Sequence, residues 1–318
     1  MSDTAAVTAS TIRASSDSPA FWKPRFSSGY IGAFLLLLIA VPCFVTLPWS
    51  MQYFDEPVRG SVIVRPPSVA EPFGSDRLER SLLWRCLLGG AISLGIGISA
   101  AFISGFIGVT WGAISGYLGG RTDAIMMRIV DVMLSLPYVL LVVLLNLALK
   151  PIVLVALSYF VPGNVAEFAT GVVTLLIAIG GVSWLTMARV IRGQVLSIRN
   201  RPFIEAARAI GVSPLRTLRV HIFPNLIGVI VVYMTLAVPI AILQESFLSF
   251  LGIGVQAPLP SWGNLASDGV KELALPLKQM NWWLLFFPCL LLGVTLMALN
   301  FLGDALRDRF DPKSDIKS

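Results

Sequence analysis

Glu245 and Asp131 are the two ionisable residues that this sequence sets within long apolar stretches, in LQESFLSF and RIVDVMLS. An unpaired charge in hydrocarbon is costly, so a carboxylate in that setting either pairs with a neighbour or lines a path for a polar solute. For Asp131 the spacing predicts pairing, with Arg128 or a nearby backbone group. Glu245 is open to both roles: an anchoring hydrogen bond near the outer end of a helix, or a contact to a substrate cation. Carriers driven by protons or sodium gather several polar groups and broken helices at mid-membrane. Two isolated carboxylates give such coupling little support.

Other reactive constellations are missing. The sequence has no Gly-Lys dipeptide and hence no phosphate-cradling loop, no HExxH and no nucleophile elbow. Neither a catalytic residue nor a cofactor site of its own is therefore expected. His221 is the single histidine, which disfavours a multi-histidine metal centre. Cys43, Cys86 and Cys289 lie in or beside apolar runs without paired spacing and read as packing residues.

The strongest local pattern is EAARAIGVSPLRTLRVHIFPN, Glu205 to Asn225. Glu205, Ala206, Ala207 and Arg208 favour a helix, Gly211 interrupts it, and Ser213-Pro214 is an N-cap followed by proline at the first position of a second helix. His221 precedes Pro224, which is expected to stop that helix before the next apolar run. Two short helices meeting at a glycine would form a knob able to dock another protein.

The elements that must position this knob are membrane spans. Of 318 residues 56% are hydrophobic and 13% charged, against roughly 25% charged in soluble domains. Uncharged stretches long enough to cross a ~30 Å core recur, so a helical bundle in contact with membrane lipids is expected. The net charge of +6 raises the question of nucleic acid, but seven arginines fall between residues 188 and 225, where they match the basic bias of inner loops. No nucleic-acid partner is expected.

In chain order, residues 1–28 read as a disordered inner tail, 29–50 as the first span and 51–85 as an external segment. Residues 86–303 form a five-helix core holding the 205–225 loop, and 304–318 a charged inner tail. From Cys86 to Gly120 there is no charge, which predicts an interfacial lead-in and one long span. Gly108, Gly112, Gly116 and Gly120 recur every fourth residue and would share one helix face, allowing another backbone to approach. The third span is expected to end near Leu149. Residues 150–167 are read as an external flap, because an extra crossing would throw the arginine-rich loop outside. The fourth span covers about 168–188, the fifth 226–250 and the sixth 282–302. Segments 150–167 and 271–280 are irregular.

Glu205-Ala206-Ala207 with Gly211, followed by His221-Ile222-Phe223-Pro224-Asn225, resembles the EAA signature of binding-protein-dependent ABC importer permeases. FGSD at Phe73 to Asp76, MRIVDVMLSLP at Met127 to Pro137, ESFLSFLGIGVQAPLPSWG at Glu245 to Gly263 and NFLGDALRDRFDP at Asn300 to Pro312 are similar to the C-type permeases of oligopeptide and dipeptide uptake. Leu78-Glu79-Arg80-Ser81 departs from the family's Gly-Arg-Asp element, and Phe223 replaces a leucine. The resemblance implies an all-α bundle of six transmembrane helices of the type I importer kind, both termini cytosolic, in a bacterial or archaeal inner membrane. It also implies a homologous second permease, two cytosolic ATPases that use ATP and Mg, and a periplasmic or lipid-anchored binding protein. Nickel or another small solute is the alternative cargo within the superfamily. Outside it stand a secondary carrier and a passive membrane scaffold.

Overall fold

A computed structural model describes residues 27–57, 64–273 and 281–310. The described residues are almost wholly helical. The helices are α1 (Ser27–Val45), α2 (Leu47–Tyr53), α3 (Leu82–Leu118), α4 (Gly120–Ser135), α5 (Tyr138–Ser158), α6 (Gly163–Arg199), α7 (Pro202–Ala209), α8 (Pro214–Arg216), α9 (Phe223–Phe250), α10 (Trp262–Leu273) and α11 (Trp283–Phe310). Six continuous helical stretches are long and apolar enough to cross a membrane: α1, α3, α5, α6, α8 through α9, and α11. Lipid offers no partner to peptide groups, so an uncharged run satisfies its backbone internally as helix despite the glycines it carries.

The core is built on α6. Leu175, Ala178, Ile179, Val182, Leu185, Ala188, Ile191 and Val195 are all buried at helical spacing along it. Helix α3 runs parallel to α6 and packs closely on it. A Cβ at Gly108 would stand 2.8 Å from the Trp184 carbonyl oxygen, one at Gly112 2.9 Å from the Arg192 nitrogen, and one at Gly116 2.9 Å from the Arg192 carbonyl oxygen. Three of the four periodic glycines thus form the seam. Gly120 does not: α3 ends at Leu118, and Gly119 (φ 67°) and Gly120 (φ 56°) turn the chain into α4.

Several expected boundaries move. No separate lead-in precedes the second span, because α3 is one helix of 37 residues, about 55 Å at 1.5 Å per residue. The third span is two helices: α4 returns antiparallel to α3, with the Trp111 indole donating to the Met126 carbonyl, and α5 follows the break at Leu136-Pro137. Asp131 therefore lies on α4. Segment 150–167 is no flap, since α5 runs through Lys150 and Pro151 to Ser158 and α6 starts at Gly163. Pro224 does not end a helix. A π-helical turn over Thr217–Ile222 connects α8 to α9, and its wider spacing accommodates a residue without an amide hydrogen.

The charged C-terminal stretch begins inside α11, which reaches Phe310 and lays that ring on Gly228 of α9. Residues 1–26 of the expected tail, 311–318 of the other tail and 274–280 of the irregular segment 271–280 lie outside the described residues.

Candidate functional site: a central cleft and the 205–225 loop

Helix α7 ends in a Schellman closure. The Val212 amide donates to the Ala207 carbonyl and the Gly211 amide to the Arg208 carbonyl, both at 3.0 Å, with Gly211 at φ 79° in the left-handed region. Ser213 holds the extended N-cap conformation. Its side chain makes no cap bond; its carbonyl instead accepts from the Thr217 amide (2.9 Å) and hydroxyl (3.1 Å). Pro214 then opens α8.

The knob is fixed from below and open above. Ile204 is buried with Ile198 of α6, Ile222 before α9 and Tyr117 of α3, and Ala207 is buried too. Glu205, Ala206 and Arg208 are exposed, as are Ser213, Pro214 and Pro224, while His221 is half-buried. Ile210 and Leu215 project at 82% and 61% exposure, an apolar tip unsuited to water. Arg208 lies over the Tyr117 ring at 5.2 Å, so its cation is partly held within the chain. Of the basic residues leading into the loop, Arg192 forks onto Asp123 through Nε and Nη2 (both 2.5 Å), and Arg189 pairs with Asp131 at 2.7 Å. Ser115 donates to the same Asp123. Asp131 thus pairs across to α6, not with Arg128 on its own helix. The Arg192 guanidinium holds the Asp123 carboxyl below the usual carboxylate range. Arg199 donates to the Tyr117 carbonyl at 2.8 Å and so caps the C-terminus of α3.

A cleft of about 460 Å³ opens between α3, the α4–α5 break, α6 and α9. Its walls are largely apolar, and Ser104, Tyr138, Ser183, Thr186, Tyr233 and Gln244 contribute the polar groups. The Tyr138 hydroxyl donates to Gln244 Oε1 at 2.5 Å, and Ser183 lies within hydrogen-bond reach of Tyr138. Such a lining suits a solute that needs a few polar contacts and weak hold. Glu245 is not in it. One residue on from Gln244, its carboxyl lies away from the cleft, fully buried, and accepts from Ser249 (2.7 Å) and Ser246 (3.2 Å), with Ser93 and Ser261 also bonded to it. The knot ties α3, α9 and the segment leading into α10. Glu245 therefore anchors, and Gln244 faces the cleft.

The sequence reading missed Tyr138, Ser183, Thr186 and Gln244 as cleft residues. Gln244 and the tyrosine after Pro137 interrupt apolar runs and carried a usable signal. Serine and threonine inside a membrane helix carry none, because they can bond to their own backbone.

At the opposite end of the bundle from the 205–225 loop, FGSD is a structural node. Asp76 accepts from the Leu78 and Arg80 amides (both 2.9 Å), the Arg80 side chain (2.8 Å) and buried Arg85 (2.5 Å). Arg77 pairs with Glu272 on α10. The departing residues 78–81 thus form a closed turn around Asp76.

Residues 108–316 match the family described as binding-protein-dependent transport system inner membrane component. The chain is 41% identical to the oligopeptide transport system permease protein OppC of Haemophilus influenzae, over 88% of this chain and 84% of the relative. It is 43% identical to the dipeptide transport system permease protein DppC of Bacillus subtilis, over 78% and 70%. A glutathione transport system permease protein, GsiD, of Escherichia coli is 33% identical over 92% and 89%. Six helices fit to cross a membrane, a cleft among four of them and a glycine-turned EAA knob agree with that match: the chain is a multi-pass inner-membrane protein of the binding-protein-dependent ABC importer permease family.

Proposed function

We propose that this chain forms half of the translocation path of an ATP-driven importer of peptides. Loop 205–225 seats on a cytosolic ATPase, and the cleft at Tyr138 and Gln244 is this subunit's share of the path. A homologous permease closes the other side, two ATPases supply ATP and Mg chemistry, and an external binding protein delivers the cargo. This subunit itself contributes no catalytic group and no metal ligand. Peptides are the cargo named for two of the relatives, oligopeptides and dipeptides, and a largely apolar cleft with scattered hydrogen-bonding groups suits varied side chains.

The observation that carries the reading is the anchoring of the knob. It is tied through Ile204 and Ile222 to the inner ends of α6 and α9, the two helices that carry Thr186 and Gln244. About 13 residues of α6, roughly 20 Å, separate Arg199 from Thr186. A push on the exposed tip is therefore delivered to the cleft by rigid helix.

The test is Gly211→Pro, beside Glu205→Lys, in the assembled transporter. Peptide uptake falls at least tenfold while membrane level is unchanged, and ATPase co-purification weakens. Full transport with normal ATPase retention would refute the docking role. Orientation is checked in a background with Cys289→Ser, since Cys43 and Cys86 are buried. Cysteines at Tyr159 and Val270 label from outside with an impermeant reagent, and one at Ile210 does not.

A further inference from the structure

The inner ends of α6, α9 and α11 enclose a second cleft, of about 390 Å³, that the cargo path does not require. Two arginines line it, Arg201 just beyond α6 and Arg307 near the end of α11, with Gln194 beside them and Ile198, Val229 and Phe310 as apolar wall. The arginines earlier on α6 are matched inside the chain, Arg189 and Arg192 by aspartates and Arg199 by the Tyr117 carbonyl. Arg201 and Arg307 have no carboxylate partner among the described residues. Two guanidiniums beside apolar side chains, at the end of three spanning helices, match one amphiphile: a phosphodiester held by the forks and an acyl chain along the wall.

We propose that this cleft binds one phospholipid with an anionic headgroup and so tethers the end of α11 to α6 and α9. Phe310 already packs on Gly228 across it. A lipid bridging Arg201 and Arg307 would keep α11 in register with the helices that carry the docking knob. The proposal needs only that the cleft meets a leaflet, whichever face is cytosolic.

The experiment uses the full chain with its co-purifying subunits in nanodiscs, which present lipid on both faces, followed by native mass spectrometry with phosphatidylglycerol as probe. One phosphatidylglycerol is retained per chain in preference to phosphatidylcholine. Near a membrane surface each arginine contributes about 1 kcal/mol, about fivefold, so R201Q/R307Q weakens retention roughly 25-fold. R201K/R307K, which keeps both charges, stays within about fivefold of the parent, and Arg121→Gln leaves retention unchanged. Undiminished retention in R201Q/R307Q overturns the proposal, as does equal loss in the Lys pair or in Arg121→Gln. Displacement by millimolar inorganic phosphate would assign the cleft to a soluble anion and overturn the lipid reading.

Discussion

Replacing Gly112 by alanine tests the α3–α6 seam, on which the bundle is built. The added Cβ would collide with the Ala188 carbonyl oxygen and stand 2.9 Å from the Arg192 nitrogen and the Ile191 Cβ, whereas carbon atoms settle at about 3.5–4.0 Å. The two backbones must part by roughly 0.6 Å or more. A gap of 0.5–1 Å forfeits a quarter to a half of each dispersion well along the contact, and insertion of a methyl group into a packed seam costs about 1–3 kcal/mol. Taking about 2 kcal/mol, the folded-to-unfolded ratio falls roughly 30-fold. Gly95 lies on the same helix with nothing within 4 Å of its virtual Cβ. Gly95→Ala should therefore be neutral, or stabilising by up to about 1 kcal/mol through helix propensity. The assay is reversible unfolding of the purified chain in mixed micelles, with both variants and the parent titrated side by side. Equal effects of Gly112→Ala and Gly95→Ala would refute the seam, and so would a Gly112 variant as stable as the parent.

Three further outcomes are expected. Asp76→Ala leaves Arg85 buried and uncompensated and should cost about 3–5 kcal/mol, whereas Asp76→Ala combined with Arg85→Met recovers most of it, read by unfolding or membrane level. Asp123 is held below its ordinary value of 3.8 by Arg192, so its stabilisation is complete above that pH and fades as pH falls below it towards the lowered value. Asp123→Asn should flatten this acid limb, and an unchanged acid limb would refute the pairing. Gln244→Ala and Tyr138→Phe should change uptake several-fold and differently for different peptides at unchanged membrane level, while Glu245→Leu lowers the level itself; selective uptake changes from Glu245→Gln would reverse these roles.

The spans were legible because a bilayer imposes one rule on every residue of a crossing segment, so length and lack of charge suffice. The knob was legible for a different reason. Gly211 and Ser213-Pro214 encode backbone angles locally, and the observed turn uses them. Proline gave a weaker signal, since a π-helical turn absorbed Pro224 and α5 ran through Pro151. Boundaries that depend on an altered hydrogen-bond register cannot be taken from the residue alone.

By itself the sequence determined the helical class, six apolar crossings, the glycine face at 108, 112 and 116, and the turn at Gly211. Each is set by chemistry within one turn of helix or one bilayer thickness. Only the tertiary structure decided which of Gln244 and Glu245 meets the cleft, that Asp131 pairs with Arg189, and that Gly120 belongs to a turn. Successive residues on a helix point about 100° apart. Which of those directions is core, cleft or lipid depends on helices distant in the chain, and no local pattern records it.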